Sequence, residues 1–190
     1  MKIVFATHNE NKIKEVQKIV PEGIVLLSLK DIGCTEDIPE TGNTLEENAI
    51  IKANYITNKY EYDCFADDTG LLVDALNGEP GVYSARYAGE QKNAEDNMDK
   101  LLSELKKHKN RTARFKTVIA LNLNGKQELF TGAAEGEIIK EKKGDGGFGY
   151  DPVFKPTDYN QTFAELQLAV KNKISHRGKA IQLLISYLKK

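Results

Sequence analysis

Strand-like and helix-like segments alternate along the first third of this 190-residue chain. Each strand-like segment is a short apolar run, whereas in each helix-like segment the apolar residues recur every three or four positions. In chain order the segments are a strand over residues 3–6, a helix over 12–20, a strand over 24–29, a helix that begins after Thr44 and a strand over 64–66. Such alternation is typical of α/β proteins, in which helices cover the faces of a sheet.

One antiparallel hairpin interrupts this alternation. Two β-rich runs, residues 112–123 and 127–139, are joined through Asn124-Gly125. An Asn-Gly pair between such runs is the strongest short-range signal of a hairpin. No repeat or linker-like stretch divides the chain. We therefore predict an α/β fold in which a mixed sheet is flanked by helices, with residues 1–190 forming a single domain.

Charge and apolar patterning argue against several classes of partner. Twenty-seven Lys and Arg residues balance twenty-eight Asp and Glu residues, so the net charge is −1, whereas nucleic acid or an anionic membrane usually calls for a basic excess. The longest aliphatic run spans only four residues, far short of a membrane helix. Cys34 and Cys64 lack a Cys or His at ligand spacing, so we expect reduced, buried thiols and a cytoplasmic protein.

The turn between the first strand and the first helix is a candidate phosphate site. Main-chain N–H groups at such a turn point toward whatever lies above it, and Lys12 adds a positive charge. The turn lacks the glycines of a Walker A loop or of a dinucleotide fingerprint. The alternative is that Thr7 or Asn9 simply caps the helix. The residues of this turn are Thr7, His8, Asn9, Glu10, Asn11 and Lys12.

Two adjacent acids, Asp67 and Asp68, follow the predicted strand over residues 64–66. Neighbouring carboxylates repel each other unless a cation or a proton relieves them. Mg²⁺ is the natural cation, because it is commonly held by one or two carboxylates together with substrate phosphates. Glu40 is a possible third acid. The alternative is an Asx turn, in which Asp68 caps a bend before Gly70.

A glycine-rich stretch over residues 144–151 brings two aromatic rings into flexible backbone. Such a segment can approach a ligand closely while Phe148 or Tyr150 stacks on a planar group, although a plain hairpin tip is equally compatible with it. Downstream, Thr162 and Glu165 form a capping box, which predicts the start of a helix there.

The run Ser175-His176-Arg177 opens the last amphipathic helix. Ser175 is most simply its N-cap, but a positive charge at a helix N-terminus opposes the macrodipole. Such a conflict with a local preference often marks a site, and a solvated helix start is the alternative. No Gly-x-Ser-x-Gly motif occurs, so covalent serine catalysis is unsupported.

Seven ordered motifs extend from the first strand to the last helix. Together they closely resemble the inosine triphosphatase-like family, the XTP/dITP diphosphatases. The motifs are Ala6-Thr7-His8-Asn9 with Lys12, Glu40-Thr41-Gly42, Glu47-Asn48-Ala49 with Lys52 and Ala53, Ala66-Asp67-Asp68-Thr69-Gly70, Pro80-Gly81-Val82-Tyr83-Ser84-Ala85-Arg86-Tyr87, Gly147-Phe148-Gly149-Tyr150-Asp151-Pro152 and Ser175-His176-Arg177-Gly178.

The resemblance implies an elongated mixed α/β fold with a central cleft between two lobes, acting as a Mg²⁺-dependent homodimer. It implies hydrolysis of ITP, dITP and XTP to the nucleoside monophosphate and pyrophosphate, which removes deaminated purines from the nucleotide pool. We expect the apolar loop over residues 80–89, with Val82, Tyr83 and Tyr87, to lie near the dimer interface.

The resemblance also implies roles for individual residues. The turn from Thr7 to Lys12 and Lys52 would hold the triphosphate, and Thr69 would contact substrate. Glu40 and Asp68 correspond to metal ligands with Asp67 close by, and Asp68 is also the proton acceptor. The nucleoside-binding positions correspond to Phe148, Gly149, Tyr150, Asp151, Lys171, His176 and Arg177. Two departures are mild, since His8 stands where many members have Gly and Thr69 where many have Ser.

Overall fold

The structure is a computed structural model that describes residues 1–189. Its strands are β1 (Lys2–Phe5), β2 (Val25–Leu27), β3 (Cys64–Val73), β4 (Pro80–Gly81), β5 (Thr112–Leu123), β6 (Lys126–Ile138) and β7 (Phe154–Pro156). Its α-helices are α1 (Glu10–Gln17), α2 (Leu45–Tyr60), α3 (Ala94–Glu104), α4 (Leu168–Ile174) and α5 (His176–Leu188). None of these helices is both long and apolar enough to cross a membrane.

The strands form one mixed sheet. Its order is β2-β1-β3-β5-β6-β7, and β4 pairs with β3 outside this path. β1 runs parallel to both β2 and β3, whereas β4 is antiparallel to β3 and β7 is antiparallel to β6. The predicted α/β class with a mixed sheet is therefore confirmed.

The chain divides into two compact units, each built from separate stretches of sequence. Unit 1 contains Met1–Asp68, Thr117–Gly132 and the residues from Arg177 onward. Unit 2 contains Thr69–Lys116 and Ala133–His176. The single domain over residues 1–190, the two-lobed shape and the central cleft stay predictions.

Each unit has its own apolar core. In unit 1 the rings of Phe5 and Phe65, on the parallel strands β1 and β3, stack with centroids 4.6 Å apart. In unit 2 the ring of Phe115 packs against Phe154 and Phe163, with centroids 4.8 Å and 6.0 Å away. These rings are buried, so in both units aromatic packing ties strands to their surroundings.

The Asn124-Gly125 hairpin forms as predicted between β5 and β6. Asn124 has a φ of 50° and Gly125 a φ of 75°, which are the positive values that a type I′ turn requires at both central positions. The amide of Asn124 also donates to the Asp63 carboxylate at 2.9 Å. Both predicted thiols, Cys34 and Cys64, are buried and free.

The strand expected to end at residue 66 is longer than predicted. β3 continues to Val73 and takes in Asp67, Asp68 and Gly70. The acids therefore lie within a strand, and both the predicted strand end and the Asx turn are wrong. Asp and Gly have low strand propensity, but β3 pairs with β1 at Cys64 and Phe65, with β4 at Leu71 and Leu72, and with β5, and this pairing with distant strands overrides the local preference.

The helix expected to begin at Thr162 is also wrong. The capping-box hydrogen bonds exist, since Glu165 accepts from the Thr162 amide at 2.8 Å and its own amide donates to the Thr162 hydroxyl at 3.2 Å. They close only a turn, and α4 begins at Leu168. The intervening main chain bonds elsewhere, because the Phe163 amide donates to the Phe154 carbonyl and the Ala164 carbonyl accepts from Gly146.

Candidate active site

The predicted phosphate turn is a capped helix start in unit 1. The Asn9 side chain accepts hydrogen bonds from the amides of Asn11 and Lys12 at 3.0 Å and 3.3 Å, so Asn9 is the N-cap of α1. Within the described part of the chain, the amides of His8 and Glu10 donate to no protein atom. The turn thus combines a filled cap with two exposed main-chain donors, which suits an anion.

Lys12 projects from this turn onto a buried charged network. Its Nζ donates to Asp67 Oδ1 at 2.8 Å, and Arg177 Nε donates to Asp67 Oδ2 at 3.1 Å. Arg177 Nη1 also donates to Glu15 Oε2 at 2.6 Å. Asp67 and Arg177 are only 1% and 2% exposed. The positive charge at the start of α5, which opposes the macrodipole, is therefore neutralised by two acids from other elements.

The charges in this network set its protonation. Burial disfavours ionised Asp67, but the charges of Lys12, Arg177 and Lys52 outweigh it and hold the pKa of this carboxyl below its usual range. Burial lowers the pKa of Lys12, against the opposing charge of Asp67. Asp67 is thus an ionised counter-charge for two cations.

Asp68 belongs to a second network in unit 1. Lys52 Nζ donates to Asp68 Oδ1 at 3.0 Å and to Glu40 Oε1 at 2.6 Å. The Asn48 side chain donates to Asp68 Oδ2 at 3.2 Å while its own oxygen accepts from the Gly42 amide at 2.8 Å. Because a main-chain amide can only donate, this second bond sets the orientation of the Asn48 amide.

Asp68 is a better proton acceptor than an ordinary aspartate. Burial raises its pKa, and the nearby charge of Lys52 opposes that shift only in part. Burial also acts on Lys52, yet the charges of Asp68 and Glu40 raise the pKa of this ammonium. A carboxylate with a raised pKa is suited to accept a proton from water near neutral pH.

The carboxylates of Glu40 and Asp68 both contact the Lys52 ammonium. As a pair they are suitable ligands for a divalent cation. Their oxygens lie within 2.6 Å and 3.0 Å of the same Lys52 nitrogen, so both are near one point. Hard oxygen donors in this number, completed by substrate phosphates, are what Mg²⁺ takes. The side chain of Glu40 is 34% exposed, whereas those of Lys52 and Asp68 are 9% and 11% exposed.

Asp67, the acid expected close to these two, has cationic partners of its own, and its role toward a metal stays a prediction. Successive side chains of a strand project to opposite faces, and both Asp67 oxygens accept from cations in a site 1% exposed to solvent. Asp67 thus has two cationic partners, whereas Glu40 and Asp68 share one, Lys52.

Three of the predicted nucleoside-binding residues, Phe148, Asp151 and Lys171, contact one another in unit 2. Asp151 Oδ2 accepts from the Phe148 amide at 2.8 Å and from Lys171 Nζ at 2.6 Å. Lys171 Nζ lies 5.1 Å from the centroid of the half-buried Phe148 ring. A Cβ at Gly147 would lie 2.0 Å from the Asp151 carboxylate, so only glycine allows this close approach.

Two further candidates have structural contacts of their own. The Tyr150 hydroxyl donates to the Ser84 carbonyl at 2.7 Å, and burial raises the pKa of this phenol, so Tyr150 anchors the loop. The buried His176 ring stacks on Phe115 with centroids 4.6 Å apart. Thr69 and Gly149 are half-buried residues of the same unit.

Sequence reasoning missed two buried polar residues, Glu15 and Asn48. Glu15 lies three residues after Lys12 on α1, and that spacing places the two on one helix face. It also precedes the buried Val16, which was a signal that this acid points inward. Asn48 belongs to one of the sequence motifs, but its role in orienting Asp68 becomes visible only once the structure places the Gly42 amide beside it.

Comparisons with known proteins cover nearly the whole chain. A family model described as the Ham1 family matches residues 3–187. A dITP/XTP pyrophosphatase of Flavobacterium johnsoniae is 67% identical over 188 residues, which are 99% of this chain and 98% of the relative. A dITP/XTP pyrophosphatase of Bacillus subtilis is 48% identical over 189 residues, 97% of this chain and 96% of the relative.

Solved structures agree with these relatives. The Ham1 protein of Staphylococcus aureus is 42% identical with a TM-score of 0.90, covering 100% of this chain and 98% of that one. A HAM1 protein from Coxiella burnetii is 39% identical with a TM-score of 0.92, at the same coverage.

Proposed function

The chain belongs to the Ham1 family, and from that membership and the site in unit 1 we propose that it is a dITP/XTP pyrophosphatase. It hydrolyses dITP, XTP and ITP to the nucleoside monophosphate and pyrophosphate, and so clears deaminated purines from the nucleotide pool. The resemblance seen in the seven sequence motifs is confirmed by the family match.

One observation carries the chemistry, namely the contact of Glu40 and Asp68 with the same Lys52 ammonium. Glu40 and Asp68 hold Mg²⁺, and Lys52 lies beside them to bind the triphosphate. A bound Mg²⁺ supplies charge neutralisation for the triphosphate and for the departing pyrophosphate.

The remaining steps belong to side chains of unit 1. Asp68 accepts the proton of the water that attacks the α-phosphorus, which its raised pKa favours. The turn from Thr7 to Lys12 binds phosphate oxygens through main-chain amides and the Lys12 ammonium. Asp67 keeps Lys12 in place through their 2.8 Å ion pair, so positioning and electrostatics do most of the catalytic work.

The purine is recognised by Phe148, Gly149, Tyr150, Asp151, Lys171, His176 and Arg177, with Thr69 contacting substrate. Arg177 donates to the 6-keto oxygen, because a guanidinium only donates hydrogen bonds and that oxygen only accepts them. The ion pairs of Arg177 with Glu15 and Asp67 hold its plane in place.

The protein acts as a cytoplasmic homodimer without a nucleic-acid or membrane partner. Tyr83, in the loop over residues 80–89, is 57% exposed. The Arg86 guanidinium carbon lies 5.5 Å from the centroid of the Tyr83 ring. Exposed Tyr and Arg are typical of interfaces. Sedimentation that finds only a 21 kDa species at micromolar concentration would contradict the dimer.

Pyrophosphate release tests the activity. We expect release from dITP, XTP and ITP to exceed release from dATP, dGTP and dUTP at equal concentrations. EDTA should abolish it and added Mg²⁺ should restore it. Equal rates on standard nucleotides would overturn the substrate assignment, and full activity in excess EDTA would overturn the metal assignment.

A further inference from the structure

The segment that carries Glu40, residues 36–43, lies antiparallel along helix α2. As residue numbers rise along the segment, the numbers of their partners on the helix fall. Gly42 comes so close that a Cβ there would lie 2.6 Å from the Glu47 Cβ. In chain order the side-chain contacts join Glu36 to Tyr55, Lys59 and Tyr60, Glu40 to Lys52, Gly42 to Asn48, and Asn43 to Glu47.

Most of this segment, as far as the structure describes it, takes part in no main-chain hydrogen bonding. In the part of the chain that the structure describes, residues 35–39 and 41–43 neither donate nor accept a hydrogen bond between main-chain groups. Its placement therefore depends largely on side-chain contacts, which lie at its two ends and at Glu40. At one end the amides of Gly42 and Asn43 donate to Asn48 and Glu47 at 2.8 Å and 2.6 Å.

Glu36 forms the other end. Its Oε1 accepts from the hydroxyls of Tyr55 and Tyr60, both at 2.8 Å, and from Lys59 Nζ. Its Oε2 accepts from the Thr35 amide at 3.2 Å. Hydrogen bonds from Lys59 and Tyr55 hold the pKa of Glu36 well below its usual range, so this carboxylate is ionised at neutral pH.

The phosphate turn is attached to the same residue. The His8 ring nitrogen Nε2 hydrogen-bonds the Glu36 carbonyl oxygen at 2.9 Å. Glu36 thus contacts the C-terminal half of α2 through its side chain and the turn that begins α1 through its carbonyl. Four residues later the chain reaches Glu40, which is held by Lys52 at 2.6 Å.

We propose that Glu36 is a positioning residue that holds Glu40 beside Lys52 and Asp68. The inference rests on the proposed function only in taking Glu40 as a metal ligand. The side chains of Glu36 and Lys59 are 33% and 53% exposed, and exposed ion pairs contribute little to overall stability. The contact of Glu36 with Lys59 therefore fixes the position of residues 36–43 and adds little to the stability of the whole protein.

The test compares Glu36→Ala with Asp37→Ala. Asp37 is the next residue, carries the same charge, and has no side-chain hydrogen bond or ion pair in the described structure. In Glu36→Ala we expect the Gly42 and Asn43 amides to exchange faster by NMR. Mn²⁺ affinity, measured by electron paramagnetic resonance, should fall roughly tenfold, the low end of the loss seen when the groups that orient a metal ligand are removed.

The kinetic readout separates positioning from a general structural defect. The Mg²⁺ concentration for half-maximal dITP hydrolysis should rise by about the same factor, while the KM for dITP at saturating Mg²⁺ and the melting temperature stay near wild type. Asp37→Ala should match wild type in every measurement. Equal behaviour of the two variants in amide exchange and in Mn²⁺ affinity would overturn the proposal.

A second variant keeps the test decisive if Glu36→Ala fails to fold. The double variant Tyr55→Phe/Tyr60→Phe removes only two hydroxyls and should shift amide exchange and Mn²⁺ affinity in the same direction, by less. Unchanged values there would contradict the proposal. A wild-type protein that releases no pyrophosphate from dITP would overturn the proposed function, whereas amide exchange and Mn²⁺ binding would still decide the role of Glu36.

Discussion

Asp67 and Asp68 are neighbours in sequence, yet β3 directs them into two different networks. Asp67 is fully enclosed between Lys12 and Arg177, and surrounding positive charge lowers its pKa. Asp68 contacts Lys52 and the Asn48 amide, and burial raises its pKa. One carboxylate is committed to neutralising cations, whereas the other can accept a proton or a metal ion.

The difference shows that environment assigns the roles of two chemically identical residues. When neighbouring groups push two pKa values apart, the group with the raised value is suited to proton transfer. The group with the lowered value stays charged and positions its partners. The two aspartates therefore provide a direct comparison between a proposed reacting group and a supporting group.

The largest expected effect distinguishes Asp68 from Asp67 by catalytic activity. Asp68→Asn should lower kcat by roughly 100-fold or more, because it removes a proton acceptor that also holds metal. Folding should survive, since Asn can still accept from Lys52 through its one amide oxygen, and Lys52 keeps its ion pair with Glu40. Pyrophosphate release and the melting temperature check this. A kcat near wild type would remove Asp68 from the catalytic role.

The second prediction distinguishes Asp67 from Asp68 by the stability of the folded protein. Asp67→Asn should cost about 3 kcal/mol of unfolding free energy, because Lys12 and Arg177 lose a buried counter-charge. Since the folded pKa of Asp67 is lowered, its contribution is fully present above the unfolded pKa of about 3.9 and is lost as pH falls through the folded value.

Urea unfolding over a pH series measures this contribution. The gap in unfolding free energy between wild type and Asp67→Asn should be full at pH 7 and narrow below about pH 4. A metal chelator in all samples keeps metal binding out of the comparison. A gap that is absent at pH 7, or that widens in acid, would contradict the assignment of Asp67 as an ionised counter-charge.

In the proposed function, Lys12 joins the supporting aspartate to the substrate, because it pairs with Asp67 and binds the triphosphate. Lys12→Ala should weaken triphosphate binding by roughly 30-fold, the size of one charge-assisted hydrogen bond, while affinity for the monophosphate product changes little. Calorimetry with a non-hydrolysable dITP analogue and with dIMP measures both. Equal losses for the two ligands would argue against contact with the triphosphate tail.

The smallest expected effect concerns the other partner of Asp67. Arg177→Lys keeps a cation near Glu15 and Asp67 but loses the guanidinium geometry, so the ratio of kcat/KM for ITP over ATP should fall roughly tenfold, the effect of one unsatisfied polar group. The ratio of kcat/KM for ITP over GTP should stay near the wild-type value, because guanine shares the 6-keto oxygen.

Glu15→Gln is the control for this prediction. It removes one ion pair of Arg177 while retaining the guanidinium, so it should lower stability and leave the ITP over ATP ratio near wild type. If Arg177→Lys leaves the ratio of kcat/KM for ITP over ATP unchanged and alters the ratio for ITP over GTP instead, Arg177 does not contact the 6-position of the base.

Local patterns were enough to predict much of the fold. The apolar periodicity placed α1 and α2, and the Asn124-Gly125 pair placed the hairpin, because turn geometry and helix amphipathicity depend on residues close together in sequence. The same reasoning failed at β3 and at the capping box of Thr162. There, pairing with distant main chain overrode the local preference.

The sequence by itself determined the order of the motifs, the turn between β1 and α1, and the residues from which the proposed site is drawn, whereas the structure identified Asn9 as the cap of that turn. Only the tertiary structure decided which acid meets which cation. Arg177 reaches Asp67 and Glu15 across 110 and 162 residues of sequence, and such pairings depend on how α1 and α5 pack against β3. The alternation of side chains on β3 then sends Asp67 and Asp68 to separate partners.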